Sequence, residues 1–336
     1  MAAGMTEGQV TIVDVAATAG VSLSTASKAL NGRDRVSQST RDRVVRVAQE
    51  LGYRPNVRAQ RMRTGRSSVV ALVTALPAQI VSEAAHLGFL LELSFPIAEQ
   101  CLRNGYSMLL VPPVSDLAAL DQLDIDGAIV VDPRADDPIA DRFRSRGVTV
   151  VTVGKDGAGA ADAYLDRGAG GADVMLDHLA DAGARHVAVA LSRQPYSLAD
   201  SHLAYLESRS DEHLRVSVIR ADASAGEEGG YVAVREALVS DPSIDAVYAP
   251  LDALAAGGLR AAVDLGRTVP DDLMVATNYD GRRAALAQPA ITALDLNLPV
   301  IGTRVADLLL GLLNGRQVAV AHSPTPVVIA RASTSR

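Results

Sequence analysis

Residues 11–31 read TIVDVAATAGVSLSTASKALN, and the placing of apolar, capping and helix-stopping residues in this stretch decides how the amino-terminal part of the chain folds. Thr11 followed three residues later by Asp14 is a capping-box-like start, with Thr11 at the N-cap and the carboxylate at the helix's positive end. Ile12, Val15, Ala16 and Ala19 then fall on one helical face. Gly20 suits the left-handed position that ends a helix. Ser22 is placed to cap a second helix through Leu30, stopped by Asn31-Gly32. Ser37 caps a third, in which Val44, Val47, Ala48 and Leu51 form the buried stripe before Gly52. Two helices joined by about three residues around a glycine are the signature of a helix-turn-helix.

Charge is divided unevenly along the 336 residues, whose formal net charge is −7. Residues 1–66 hold eleven of the 32 basic side chains but five of the 39 acids, a surplus of +6 that leaves −13 for the rest. A cationic head on an acidic body suits a polyanion-binding partner. The plainer reading of the charge alone is a solvated, charge-rich helical segment.

Outward from the head, Arg54-Pro55-Asn56 breaks the chain, because proline disfavours helix in the residue before it. Val57 to Arg63 is helix-capable but too short to be stable alone in water. Beyond Ser68 strand-like apolar runs alternate with helical segments. Strands are predicted at 69–73, 107–111, 127–131, 149–153, 186–191, 215–220, 246–249, 274–276, 292–295 and 327–330, and helices include 83–104, 170–182, 229–239 and 300–313. Near-continuous apolar strands between helices mean an α/β, doubly wound parallel sheet. About 270 residues suffice for two lobes, with a ligand crevice at the carboxyl ends of the strands. No internal repeat stands out.

The run from Thr11 to Asn31 closely resembles the headpiece of the lactose-repressor (LacI/GalR) family. The resemblance rests on Asp14-Val15-Ala16, Ala19-Gly20-Val21-Ser22 and Thr25-Ala26-Ser27-Lys28. It continues through Val36-Ser37, Thr40-Arg41, Leu51-Gly52-Tyr53 and Pro55-Asn56 at the family's spacing. It implies a disordered tail over 1–9, a helix-turn-helix headpiece over 10–55 and a hinge helix or linker over 56–66. A core like that of periplasmic binding proteins follows over 67–336, one lobe near 68–164 and 296–322, the other near 165–295 and 323–336. The implied activity is transcriptional regulation by repression, with a homodimer on near-palindromic double-stranded operator DNA and a small-molecule effector in the core.

Physical reading of the head agrees. The first half of a second helix reaches base edges in the major groove. Leu23 and Ser24 stand at its exposed start, and Lys28, one turn on, offers an ammonium to guanine or phosphate. Thr11, Ser22, Thr25, Ser27, Asn31 and Tyr53 complete the expected contacts, the hydroxyls being suited to phosphate oxygens. For Ser22 helix capping is the competing role. In the hinge, Asn56, Arg58, Ala59, Gln60, Met62 and Arg63 are the candidates; Met62 stands where the family has a Leu wedge, and a thioether is apolar and flexible enough to intercalate.

The core departs from the family more than the head does. Ser201 occupies the position of the family's ligand-binding Arg, ahead of Ala204-Tyr205, and Leu251 replaces an Asn before Asp252. Asn278 stands where Gly is typical, and Asp280 is retained. Ser201, His202, Tyr205, Asp252, Tyr279 and Asp280 are therefore the effector-site candidates, and the losses point to a less polar effector than a sugar, or to none.

Other classes fare worse. Gly157-Ala158-Gly159 lacks the third glycine of a dinucleotide loop, and the six histidines have no metalloprotease spacing, so no enzyme, cofactor or metal is expected. Cys101 is the one cysteine and offers neither disulfide nor zinc cluster. No apolar run reaches the ~18–20 residues of a membrane helix, and MAAGMTEGQV has no export-signal pattern. The expected setting is the cytoplasm, at the nucleoid when DNA-bound, which disfavours an exported sugar-binding protein on the same core.

Overall fold

The structure is a computed structural model that describes residues 10–30, 36–53, 65–76, 84–114, 116–157, 161–194, 196–210, 213–317 and 320–335. It divides into two compact units, Met1–Arg66 and Ser67–Arg336. The expected tail over 1–9, the stop at Asn31-Gly32 and the hinge candidates from Asn56 to Arg63 lie outside the described residues.

The first unit contains α1 (Ile12–Thr18), α2 (Leu23–Leu30) and α3 (Gln38–Glu50). Its start is fixed locally: the Thr11 backbone N–H and hydroxyl both donate to Asp14 Oδ2, at 2.8 and 2.7 Å. Gly20 takes φ +64°, which lets the chain reverse within a few residues so that Val21 N–H reaches the Ala16 carbonyl at 3.0 Å. Ser22 Oγ then accepts from Thr25 N at 3.1 Å and caps α2. Val15, Ala16, Ala19, Ala26, Ala29, Val44, Val47 and Ala48 make the core, with Tyr53 packed at its edge. Four of these eight are small alanines on α1, its end and α2, which allows close helix approach.

The second unit holds two six-stranded sheets. The first comprises β1 (Val69–Thr74), β2 (Ser107–Leu110), β3 (Gly127–Val131), β4 (Thr149–Val153), β5 (Ala163–Asp166) and β11 (Val320–His322), ordered β11-β5-β4-β3-β1-β2. The second comprises β6 (His186–Ser192), β7 (Arg215–Ala221), β8 (Ala246–Ala249), β9 (Met274–Tyr279), β10 (Thr292–Asp295) and β12 (Val327–Ile329), ordered β12-β10-β9-β8-β6-β7. The two orders are the same pattern run twice. Every pairing is parallel except β10 with β12. The chain passes between lobes three times: after β5, after β10 and after β11.

Helices cover both faces of each sheet. On the first, α4 (Ala84–Arg103) and α11 (Leu298–Leu313) bury Val70 and Leu72, while α5 (Pro138–Ser145) covers Ala71 and Val73. On the second, α6 (Ala172–Asp181) and α7 (Ser197–Ser208) lie on one side, and α8 (Glu227–Ser240) and α9 (Asp252–Asp264) on the other; α10 (Arg282–Leu286) follows β9. Strands β3, β6 and β8 are buried along their whole length, which is why they read as unbroken apolar runs. Sequence pattern did not give β5 and β11, short strands of four and three residues at the side where sheet order ends.

Helices α8 and α9 cross at contact distance because glycines meet there. A Cβ on Gly257 lands 2.0 Å from the Glu227 carbonyl oxygen and 2.5 Å from Tyr231 N, both backbone atoms that cannot rotate away. Gly257→Ala is therefore expected to lower the unfolding free energy of the second unit by about 1–3 kcal/mol through overpacking. Urea denaturation checks this; an unchanged midpoint means that the crossing is loose.

Candidate functional site

The surface of α2 is set by what it buries. Ala26 and Ala29 face the headpiece core. Helical spacing then turns Ser24, Ser27 and Lys28 outward, with Leu23 at the flank. Leu23 is 50% exposed, and Ser24 and Lys28 are exposed beside it. An apolar side chain and a hydroxyl at the helix start, with an ammonium in its last turn, form a set able to meet a thymine methyl, a base edge and guanine or phosphate. The other headpiece candidates are more engaged. Thr11 is committed to Asp14, Ser22 Oγ and Thr25 Oγ1 lie 2.8 Å apart, and Tyr53 is half-buried with its N–H on the Ala48 carbonyl at 2.8 Å. Ser27 is half-buried.

A second candidate site opens between the lobes of the larger unit, where strand carboxyl ends converge. Asp132 follows β3, Val153 ends β4 and Arg167 follows β5; from the other lobe come Pro250, Leu251 and Asp252 after β8, and Asn278 and Tyr279 at the end of β9. Arg167 Nη2 donates to Asp132 Oδ1, and these side chains are only 11% and 5% exposed. Asp252 Oδ1 accepts from Ala253 N at 2.9 Å, and Oδ2 lies 3.6 Å from Arg283 Nε. The Tyr279 ring stands edge-on to Phe89 of α4, centroids 5.4 Å apart, and its hydroxyl faces Glu92 of the other lobe; burial raises the pKa of both the Tyr279 hydroxyl and the Glu92 carboxyl.

Of the six effector candidates, the structure brings Asp252 and Tyr279 to this cleft. His202 is wholly buried behind it. Its Nδ1 meets the Leu198 carbonyl and its Nε2 the Tyr248 hydroxyl, each at 2.8 Å. Tyr248 in turn hydrogen-bonds Asn278 Oδ1, whose Nδ2 donates to the Gly170 carbonyl at 2.7 Å. Asn278, conspicuous in the sequence, thus ties β8 and β9 to the turn that enters α6. Ser201 and Tyr205 sit on a different depression beside Lys155 and Asp200, and the Tyr205 hydroxyl accepts from Arg209 at 2.7 Å. Asp280 pairs with Arg331 and anchors the carboxyl-terminal segment. Arg167, which is not among the six candidates, brings a guanidinium to the cleft. The available signal was an arginine directly after a strand, in the glycine-rich turn DRGAGG at 166–171.

Comparison with known proteins now separates the two halves of the molecule by kind. Residues 11–56 match "Bacterial regulatory proteins, lacI family", and residues 176–334 match "Periplasmic binding protein-like domain". The chain belongs to the LacI family. Among curated relatives of this LacI-family chain, the HTH-type transcriptional regulator CelR of Thermobifida fusca is 29% identical over 320 residues, covering 91% of this chain and 92% of CelR. The HTH-type transcriptional repressor PurR of Klebsiella pneumoniae (strain 342) is 24% identical over 340 residues, covering 97% of each. Among solved structures, a transcriptional regulator CelR–cellobiose complex superposes with TM-score 0.68 at 27% identity, over 96% of this chain and 99% of that one. The lac repressor dimer bound to operator and the anti-inducer ONPF gives TM-score 0.65 at 22% identity over 97% and 99%, a likeness of fold. This LacI-family chain is a DNA-binding transcriptional regulator and not an enzyme. Among the described residues no helix is long and apolar enough to cross a membrane.

The buried imidazole makes the core acid-sensitive. Burial lowers the His202 pKa from 6.5 to about 4, so between those values the unfolded chain takes up a proton that the folded chain refuses. The stabilisation is complete above pH 6.5 and is lost as pH falls toward 4, by on the order of 3 kcal/mol. Unfolding free energy followed by urea titration from pH 7 to pH 4 is expected to fall less steeply in His202→Gln than in the parent; equal slopes assign the acid sensitivity to other groups.

Proposed function

We propose that the protein represses transcription as a homodimer, placing two α2 helices on the halves of a near-palindromic operator. The observation that carries this reading is the exposed side of α2, where Leu23 and Ser24 at its start and Lys28 in its last turn project from a headpiece with a small apolar core. Base contact is assigned to these three. Thr11, Ser22, Thr25, Ser27, Asn31 and Tyr53 are assigned to phosphate or positioning contacts. From the hinge, Asn56, Arg58, Ala59, Gln60 and Arg63 follow the minor groove and Met62 acts as the apolar wedge. The setting is the cytoplasm, on nucleoid DNA.

Pairing of two copies is supported by apolar surface on both lobes. On α4, Leu91, Phe95 and Leu102 share one face by helical spacing, with Phe95 73% and Leu102 76% exposed; on the other lobe Val263 is 57% and Leu286 69% exposed. Large apolar side chains left in water on this scale mark a contact surface, and the lac repressor relative is a dimer on its operator. The cleft between the lobes, where the strand carboxyl ends converge, is assigned as the effector site; the CelR relative is a cellobiose complex. A ligand that binds one lobe spacing better than another biases how the two headpieces are held.

Gel shifts on the gene's own upstream region test the DNA reading: the full chain is expected to prefer that duplex over random competitor, and a chain lacking residues 1–66 to lose binding. Affinity should fall steeply as salt rises. Selection of preferred sites should show Lys28→Ala changing sequence preference more than Arg61→Ala; identical preferences remove Lys28 from the base-reading set. In sedimentation, Phe95→Asp combined with Leu286→Asp is expected to shift dimer to monomer and to weaken operator binding at least tenfold, and an unaltered dimer assigns the interface elsewhere.

A further inference from the structure

Granting that the cleft is the effector site, we infer that it selects a neutral, mainly apolar molecule carrying a single hydrogen-bond-accepting group, such as a ketone or lactone, over a polyhydroxylated sugar. The inference comes from counting which polar groups around the cavity remain able to bond a guest. Asn278 is spent at both ends, on Tyr248 and Gly170. The Tyr279 hydroxyl faces the Glu92 carboxyl, which competes with a guest for it. Asp252 is occupied by the Ala253 N–H and lies against Arg283. Asp132 is held by Arg167.

Among the described lining residues, the side-chain donors left over are on Arg167 and on the Ser323 hydroxyl. A guanidinium has five N–H groups; here Nη2 goes to Asp132, and Nε is buried with no acceptor within reach. A guest reaches Arg167 only through the part of its guanidinium that lines the cavity, and one acceptor suffices there. A hexose or disaccharide instead brings a ring of hydroxyls, each needing a partner once water is excluded, and the committed side chains do not supply that many.

Charge narrows the class further. The acids Asp132 and Asp252 are matched by Arg167 and Arg283, so a carboxylate or phosphate enters with no cation to spare for it. Apart from Ser323, the remaining described side chains of the wall are apolar, among them Phe89, Leu198, Leu251, Leu298, Ile301 and Pro326. Burial of a hydrocarbon frame against these side chains provides the binding free energy, and Arg167 sets its orientation.

The test is calorimetric titration of the full-length protein with camphor, δ-decalactone, cellobiose and camphor-10-sulfonate. Camphor or δ-decalactone is expected to bind at least tenfold more tightly than cellobiose and the sulfonate. That preference should drop at least tenfold in Arg167→Met, and also in Arg167→Met with Asp132→Leu, which removes the pair together so that no lone carboxylate is left buried; Arg167→Lys should restore part of it. Cellobiose binding as tightly as the ketone or lactone, binding of none of the four, or indifference to both Arg167 variants overturns the inference. Leu251→Trp, which fills the cavity, separates this from the reading beneath it: selective binding that survives Leu251→Trp removes the cleft as effector site, whereas selectivity for cellobiose that Leu251→Trp abolishes keeps the site and refutes only its proposed guest.

Discussion

A parallel strand cannot be joined to its neighbour by a tight turn; the chain must cross back over the sheet, and that constraint shapes the larger unit. Most crossovers deposit a helix on a face, so both faces are covered and the central strands β3, β6 and β8 are buried throughout. It also gathers the strand carboxyl ends, and the loops that leave them, along one edge of each sheet. Two lobes built this way set those edges against each other. Asp132, Arg167, Asp252 and Asn278 meet because each follows or ends a strand, although up to 146 positions separate them along the chain.

The headpiece answers to a different rule. With few residues and no sheet, it relies on local devices: Asp14 closing on Thr11, Gly20 reversing the chain, and Ser22 and Ser37 capping the helices they precede. All of these act within five residues, which is why they were legible in the sequence. The same holds for β3, β4, β8 and β10, whose apolar runs begin and end where the observed strands do.

Legibility failed where partners are distant. Strands β5 and β11 pair with each other at the end of a sheet and are half-exposed, so neither shows an apolar run. The lobes share one strand order without a visible repeat, because parallel pairing asks only for apolar character and leaves the identities of residues free. Arg167 is hard to read because its local mark, a glycine-rich turn, follows a strand that shows no apolar run; Asp132, its partner, is 35 residues away. His202 and Asp280 were singled out for their chemistry, yet one is consumed in a buried network and the other in holding the carboxyl-terminal segment. A polar residue type declares a capacity, and only the surrounding fold decides where it is spent.

Three passages of the chain between the lobes have a mechanical consequence. A single tether permits swivelling about its own axis, and two permit a rocking motion about the line through them. A third, displaced from that line, resists twist and slippage, so that opening is confined to bending across the joined edge. A break in any one passage leaves the halves joined by the other two, and what such a cut removes is torsional stiffness rather than connection.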